Sequence, residues 1–152
     1  MKAVLCKSYG PPETLVIEDV ESPVPGPDEV VIAVKAAALN FFDTLIIENK
    51  YQFKPQLPFS PSGEVAGVVK SVGANVTGFV PGERVMAYIG WNGAREEVAV
   101  HQSRVVRIPE AVDFETASGL SVTYGTTLHA LKDRADLKPG ETLAVLGAAG
   151  GT

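Results

Sequence analysis

The sequence is poor in cysteine, since its 152 residues include only Cys6. A single thiol cannot form an intramolecular disulfide and cannot supply a multi-cysteine metal site. His101 and His129 stand far apart and follow no metal-ligand spacing, so we predict no bound metal. Cys6 lies in an apolar, strand-like segment, and we predict that it is a buried core residue.

Positive charge and long apolar runs are also scarce. There are 13 Lys and Arg residues against 18 Asp and Glu residues, and the basic residues form no cluster. A nucleic-acid partner requires a concentrated positive face, so we predict none. No apolar run reaches the ~18 residues that a membrane-spanning helix needs, and residues 1–4 show no signal-peptide pattern. We therefore expect a cytoplasmic protein without a membrane partner.

Glycine and proline, in contrast, are plentiful at 15 and 11 residues, and nine of the prolines fall by Pro81. Such spacing is typical of short strands joined by tight turns. About eight strands fit before residue 109, which predicts a small antiparallel barrel or sandwich. The clearest strand segments are residues 2–7, 15–20, 30–39, 64–72, 84–89, 94–100 and 105–108.

Two local signals refine this prediction. The dipeptide Asn92-Gly93 between the segments 84–89 and 94–100 predicts that these two strands form a β-hairpin. Gly67, inside the segment 64–72, indicates a bulge or a close backbone approach.

The pattern changes after Pro109. Asp113 is a candidate N-cap for a helix over residues 114–120, and apolar spacing predicts a second helix over 124–135. An apolar strand over 142–146 is followed at once by the glycine-rich residues 147–151. Helix, strand and glycine-rich loop in this order are typical of the start of a nucleotide-binding α/β unit, in which the loop holds a pyrophosphate. A flexible tail is the alternative for these glycines.

Two polar residues follow the buried segment 30–39. Asn40 and Asp43 lie in a non-helical break, where polar groups often line a site. Alternatively, Asn40 caps a turn and Asp43 caps a short helix.

Two further residues attract attention. Glu64 opens a strand that enters the core, where an unpaired charge is costly, so we expect an ion pair with Arg84 or Lys35. Tyr51 begins the proline-rich, irregular segment 51–61. It projects into a cleft, where its hydroxyl can donate to a carbonyl oxygen, or it packs on the surface.

The chain resembles the zinc-independent medium-chain dehydrogenases/reductases of the quinone oxidoreductase (zeta-crystallin-like) branch. The resemblance covers essentially the whole chain, and its motifs occur in the family's order. The matching segments are residues 1–4 (MKAV), 38–44 (ALNFFDT), 58–69 (PFSPSGEVAGVV), 72–85 (VGANVTGFVPGERV), 123–126 (TYGT) and 137–151 (LKPGETLAVLGAAGG).

The resemblance implies a mainly β fold: a GroES-like β-barrel catalytic domain over residues 1–121, then the truncated start of a Rossmann NAD(P)-binding domain over 122–152. It implies NADPH-dependent reduction of quinones or related α,β-unsaturated carbonyl compounds by hydride transfer. The full-length enzyme is then expected to be a homodimer. The 152 residues alone are expected to be inactive and not to bind NADPH tightly.

The resemblance also implies roles for individual residues. Asn40, Asp43 and Tyr51 are the candidate catalytic residues, with Tyr51 over the substrate pocket. Asn40 and Thr126 border the nicotinamide end of the cofactor. The pyrophosphate lies against Gly147, Ala148, Ala149, Gly150 and Gly151.

Some positions depart from the family or its relatives. Zinc-dependent relatives carry a cysteine in the segment that holds Asn40 and Asp43, and Gly-His-Glu where this chain has Ser62-Gly63-Glu64. The family usually has Pro-Gly before this glutamate, and Ser62 stands in place of the proline. Two alternatives to quinone reduction are kept: an enoyl or alkenal reductase of the same superfamily, and a GroES-like interaction module in which residues 51–61 form a mobile partner-binding loop.

Overall fold

The structure, a computed structural model, describes residues 1–151 and is mainly β, as expected. Within these residues, seven strands form two antiparallel sheets. The strands are β1 (Lys2–Leu5), β2 (Val16–Asp19), β3 (Glu29–Ala38), β4 (Glu64–Val72), β5 (Arg84–Tyr88), β6 (Glu97–His101) and β7 (Val105–Arg107). β1 pairs with β2, and the other five strands form a sheet in the order β6-β3-β4-β5-β7.

The core lies on one face of the five-stranded sheet. Its members are mostly valines and isoleucines, whose β-branched side chains suit a pleated, buried surface. The buried residues of this cluster are Val30, Ile32, Val65, Val69, Val85, Ala87, Val98, Val100 and Val105. A second buried cluster contains Cys6, Ile46, Ile47 and Phe59. Cys6 is therefore a core residue, as predicted.

The pairing of β3 with β4 depends on Gly67. A Cβ atom at this position would lie 2.1 Å from the carbonyl oxygen of Ala33. The register of the two strands shifts between Val34 and Ala36, directly beside this contact. The close backbone approach and irregular pairing expected from a glycine within the strand are both present.

The predicted hairpin between residues 84–89 and 94–100 is wrong. β5 lies between β4 and β7, whereas β6 is at the edge of the sheet beside β3. The connection instead bonds to the segment before β4, because Asn92 donates its backbone N–H to the carbonyl of Ser60 and Gly93 donates to that of Ser62. The Asn-Gly turn therefore docks on a distant part of the chain and does not close a two-stranded ribbon.

Within residues 1–151, α-helices occur in two places, after β3 and after β7. α1 (Phe41–Ile47) follows β3 directly. After β7, the chain winds through α2 (Phe114–Ser118), a π-helical turn (Leu120–Tyr124), α3 (Gly125–Leu128) and a second π-helical turn (His129–Arg134). Asp113 caps α2 as predicted, since its side chain accepts a hydrogen bond of 2.6 Å from the N–H of Thr116. Short 3-10 turns occupy Pro12–Thr14 and Gln102–Arg104.

The predicted strand over residues 142–146 is wrong. These residues adopt no regular strand, and Leu143, Val145 and Leu146 are exposed, the last by 94%. A strand that is apolar on both faces is stable only between neighbours in a sheet, and no strand pairs with this segment among the described residues. None of the helices within residues 1–151 is long and apolar enough to cross a membrane.

Candidate functional site

The site begins at the junction between β3 and α1, where the side chain of Asp43 fixes the backbone of Asn40. Oδ2 of Asp43 accepts a hydrogen bond of 2.8 Å from the N–H of Asn40. In return, the N–H of Asp43 donates to the carbonyl of Asn40 over 3.0 Å. The N-cap of α1 is therefore Asn40, and Asp43 lies inside the first turn as the third helical residue, where it forms a capping box with Asn40 and is not itself the cap.

Asp43 also reaches beyond its own helix. It is only 4% exposed, and its Oδ1 accepts a hydrogen bond of 2.8 Å from the N–H of Ser62. Burial raises the pKa of Asp43, and the two backbone N–H donors oppose this shift without cancelling it. Both carboxylate oxygens are thus occupied within the chain. This geometry suits a residue that holds the site in place, and the catalytic role of Asp43 stays a prediction.

Glu64 completes the arrangement around Asn40. It is 1% exposed, and its Oε1 accepts a hydrogen bond of 2.9 Å from Nδ2 of Asn40. Its Oε2 accepts a second bond of 2.9 Å from the backbone N–H of Val122. Asn40 is therefore held by one buried carboxylate at its main chain and by another at its side chain.

The expected ion pair of Glu64 with Arg84 or Lys35 is wrong. The β4–β5 register places Arg84 opposite Val68, four residues along the strand from Glu64. The guanidinium of Arg84 instead donates to the carbonyl oxygens of residues 109, 110 and 112. Lys35 is exposed to solvent. The buried carboxylate is satisfied by neutral N–H donors, which sequence reasoning about charge does not find.

Ser62, the position that departs from the family pattern, adopts a left-handed conformation with φ 76°. It is fully buried, and its hydroxyl donates to the carbonyl of Glu64 over 3.1 Å. A non-glycine residue in this region costs about 1–3 kcal/mol and is retained only where its surroundings impose it. Here the surroundings include the bond from its N–H to Asp43.

Aromatic rings lie beside α1. The ring of Tyr51 stacks on Phe42, with centroids 5.7 Å apart, and meets the ring of Phe53 edge-on at 5.6 Å. Tyr51 is half-buried and packs against the second core cluster. The structure therefore places Tyr51 within an aromatic group, which we call the aromatic cluster (Phe42, Tyr51 and Phe53).

Sequence reasoning missed Tyr88, which ends β5 opposite Glu64 in the register. Tyr88 is 43% exposed. Burial raises the pKa of its phenol, and the nearby Tyr51, Glu64 and Asp43 raise it further, while Arg104 lowers it. Tyr88 thus lies near the same group of residues as Tyr51. The available signal was a tyrosine at the last position of a strand whose neighbouring strand begins with a buried glutamate.

The cofactor-binding candidates in the last thirty residues lie on exposed structure. Thr126 is exposed on α3, and Gly147, Ala148, Ala149, Gly150 and Gly151 are exposed as well. Residues 147–150 form a turn closed by a bond of 2.9 Å from the N–H of Gly150 to the carbonyl of Gly147. A helix that starts after the glycines, which pyrophosphate binding requires, is not among the described residues.

One contact nevertheless brings the glycine-rich segment toward the rest of the site. A Cβ atom on Gly151 would lie 3.2 Å from Cγ2 of Thr123. Thr123 is next to Val122, whose N–H binds Glu64, and Glu64 in turn binds Asn40. A chain of contacts thus links Gly151 to Asn40, the two ends of the predicted cofactor site, which are far apart in the sequence.

The described residues contain no candidate metal centre, since no group of three or more His, Cys, Asp or Glu side chains among them is placed to hold a metal ion. A cavity of about 700 Å³ lies between the chain's first residue and β6, away from Asn40 and the aromatic cluster. Its lining includes Glu21, Trp91, Arg95, Glu97 and His101.

The mainly antiparallel β architecture is that of a GroES-like domain. The chain belongs to the family of the alcohol dehydrogenase GroES-like domain, whose pattern matches residues 26–110, more than half of the chain. The resemblance seen in the sequence is thereby confirmed.

Individual relatives agree with this family. A quinone oxidoreductase-like protein 2 homolog of Nematostella vectensis is 40% identical over 98% of this chain and 41% of its own length. The crystal structure of a probable oxidoreductase from Mycobacterium abscessus matches with a TM-score of 0.92 and 44% identity, over 99% of this chain and 48% of that one.

A third similar protein has been solved in complex with NADPH. The quinone oxidoreductase of Thermus thermophilus, whose structures include a complex with NADPH, matches with a TM-score of 0.80 and 35% identity, over 93% of this chain and 43% of that one. The chain thus spans less than half the length of these relatives.

Proposed function

We propose that this chain forms part of an NADPH-dependent oxidoreductase that reduces quinones or related α,β-unsaturated carbonyl compounds by hydride transfer. The observation that carries the proposal is the similarity, over nearly the whole chain, to quinone oxidoreductases, one of which is known in complex with NADPH. The geometry around Asn40 supports it independently.

The residues present fit a nicotinamide cofactor. The side chain of Asn40 donates one of its two Nδ2 hydrogens to Glu64, which leaves the second N–H for a ligand. Gly151 lies against Thr123 and has no side chain. No Cβ atom therefore blocks a ligand that approaches the backbone of Gly151. In the proposal Asn40, Thr126 and residues 147–151 hold NADPH, which supplies the hydride when it is bound.

The chain's own residues then position the substrate and stabilise charge. A quinone or enone is flat, and the aromatic cluster offers ring faces on which it can stack. Hydride addition leaves negative charge on the substrate oxygen, which needs a hydrogen-bond donor. We assign this role to the hydroxyl of Tyr51 or to the remaining N–H of Asn40, and we assign Asp43 to positioning because both its oxygens are already occupied.

The interaction-module alternative receives less support from the structure. A mobile partner-binding loop over residues 51–61 would have few contacts with the rest of the domain. Instead, Phe59 is buried and exchanges two backbone hydrogen bonds with Cys6, of 2.7 and 3.2 Å. Tyr51, at the other end, packs in the aromatic cluster.

Steady-state kinetics test the proposal. The full gene product is assayed with NADPH or NADH against 1,4-benzoquinone, a simple enone and an enoyl thioester. We expect NADPH-dependent turnover of the quinone or the enone. Exclusive turnover of the thioester would favour an enoyl reductase, and no oxidation of either cofactor with any acceptor would overturn the proposal.

A further inference from the structure

The starting observation is a buried carboxylate without a cation. Glu64 is 1% exposed, and both its oxygens accept hydrogen bonds of 2.9 Å from neutral N–H groups. A buried charge is costly unless hydrogen bonds satisfy it. Here the two acceptor oxygens satisfy an amide and a backbone N–H, so the carboxylate acts as a bridge between the groups that donate to it.

The two donors come from separate parts of the chain. Asn40 stands 24 positions before Glu64, at the junction of β3 with α1, and Val122 stands 58 positions after it, in the π-helical turn Leu120–Tyr124. Within residues 1–151, Glu64 is the single side chain that bonds to both. It therefore connects the carboxamide of the candidate site to the segment that leads toward the glycine-rich residues.

The helical winding is interrupted where Glu64 contacts it. α2 ends at Ser118, and the regular pattern of hydrogen bonds changes to the π-helical turn at Leu120. In a continuous α-helix the N–H of Val122 would donate to the carbonyl of Ser118. It donates instead to Oε2 of Glu64, and a side chain that takes a bond from the helical ladder is a recognised cause of such a break.

Glu64 also orients Asn40. Because Oε1 accepts from Nδ2, the amino end of the carboxamide points to Glu64 and the oxygen Oδ1 points away from it. Asp43 fixes the backbone of Asn40, and the bond to Glu64 fixes the rotation of the Asn40 side chain.

We propose that Glu64 is a positioning residue that fixes the orientation of the Asn40 carboxamide and ties it to the segment Leu120–Tyr124. A ligand that displaces this segment then also displaces Asn40, and a ligand that binds Asn40 restrains the segment. The inference rests on the proposed function only in naming that ligand, the nicotinamide cofactor. The link between the two segments is a property of the chain itself.

The test uses the 152-residue chain and no cofactor. Glu64→Gln keeps the shape of the side chain but replaces one acceptor oxygen with an NH₂ group. Its two terminal atoms therefore cannot accept from both Asn40 and Val122 as the two carboxylate oxygens do. We expect hydrogen exchange of the Val122 amide to become at least about tenfold faster, as loss of a bond to a charged group implies, and the side-chain NH₂ resonances of Asn40 to move. Amides in the centre of β3 and β4 should be unaffected.

Glu97→Gln is the matched control. Glu97 lies on β6, bonds to Lys70 over 2.6 Å and does not contact Asn40 or Val122. This variant should leave both signals unchanged. Equal Val122 exchange together with unchanged Asn40 NH₂ resonances in the wild type, Glu64→Gln and Glu97→Gln would overturn the proposal.

A second variant covers the case in which Glu64→Gln does not fold. Asn40→Ala removes the other partner and leaves Glu64 and Val122 in place. We expect the Val122 amide resonance to shift, because the carboxylate loses one of its two restraints. An unchanged Val122 resonance and exchange rate in this variant would equally overturn the link.

Failure of this inference is distinct from failure of the proposed function. The NMR measurements involve no cofactor, so unchanged Val122 and Asn40 signals overturn the positioning role and leave the NADPH chemistry standing. Conversely, a wild-type gene product that oxidises no nicotinamide cofactor overturns the proposed function and leaves the link between the segments intact. In an active gene product, Glu64→Gln should raise the KM for NADPH more than it lowers kcat.

Discussion

Oδ1 of Asp43 accepts a hydrogen bond of 2.8 Å from the N–H of Ser62, a residue held at φ 76°. An aspartate in the first turn of α1 thereby fixes a left-handed residue just before β4. The hydroxyl of the same serine donates to the carbonyl of Glu64 over 3.1 Å. The turn that presents Glu64 to Asn40 is therefore determined by a carboxylate from another element and not by a glycine at position 62.

A pair of substitutions at Ser62 separates the backbone cost from the hydroxyl bond. Ser62→Ala loses the bond and keeps the left-handed strain, so we expect a loss of about 1 kcal/mol in the free energy of unfolding. Ser62→Gly loses the same bond but relieves the strain, so it should be more stable than Ser62→Ala by about 1 kcal/mol. Urea denaturation measures both, and an alanine variant as stable as the glycine variant would contradict this account.

The pKa values of Asp43 and Asp113 should be shifted in opposite directions, although both residues lie at helix starts. Burial dominates at Asp43 and raises its pKa above the ordinary 3.8. At exposed Asp113, hydrogen bonds from Thr116 lower the pKa below that value. Carbon-13 NMR titration of the two carboxyl groups checks this, and a midpoint for Asp43 at or below that of Asp113 would refute it.

The sign of the resulting pH dependence follows from linkage. The folded state holds the proton of Asp43 more tightly than the unfolded state does. Its contribution to stability is therefore present below pH 3.8 and is lost as the pH rises through the folded pKa. Asp113 acts in the opposite sense, because its contribution is present above pH 3.8 and is lost as the pH falls through its folded pKa.

Gly67→Ala should be strongly destabilising. The added methyl group would lie 2.1 Å from the carbonyl oxygen of Ala33, so β3 and β4 would have to separate. We expect a loss of about 2–3 kcal/mol, typical of overpacking in a core. Gly78→Ala is the matched control, since nothing lies within 4 Å of its added carbon, and it should change stability by less than about 0.5 kcal/mol. Similar unfolding midpoints for the two variants would count against the observed strand contact.

Deletion of residues 141–152 should leave the stability of the two sheets formed by β1–β7 nearly unchanged. The apolar side chains of this segment, at Leu143, Val145 and Leu146, are exposed and add little buried area. Thermal unfolding followed by circular dichroism checks this expectation. A fall in Tm of more than about 5 °C would mean that the segment contributes to the core, since such a fall in a domain of this size corresponds to more than about 1 kcal/mol.

NADPH should bind the 152-residue chain only weakly. The glycine-rich residues are present but exposed, and the helix that would follow them is not among the described residues. Fluorescence titration of NADPH into the chain measures this directly. Micromolar binding would show that residues 1–152 suffice for the cofactor site.

Some of this structure could be predicted from local sequence. The apolar, β-branched segment over 64–72 forms β4 with those bounds, and the cap at Asp113 is where its spacing placed it. In both cases the pattern that predicts the element lies within a few consecutive residues. The hairpin at Asn92-Gly93 failed because the partners of that turn are Ser60 and Ser62, some thirty residues away.

The sequence singles out the candidate residues Asn40 and Asp43, but it does not predict the hydrogen bonds that hold them. Asn40 and Asp43 stand out because polar residues follow a buried strand. The environment of Glu64 does not, because its partners are an amide and a backbone N–H, which carry no opposite charge to search for. The segment 142–146 failed for a different reason, since a central strand exists only when its neighbours are present.

Cys6 gives the chain a chemical reporter of its own opening. It is the only cysteine of the sequence, it is fully buried, and burial raises the pKa of its thiol. The thiolate attacks alkylating reagents, so the folded chain should react slowly and the opened chain fast. The rate of modification then measures how often the contact between Cys6 and Phe59 opens. A second cysteine introduced at an exposed position such as Gly147 can be labelled selectively without removing the first.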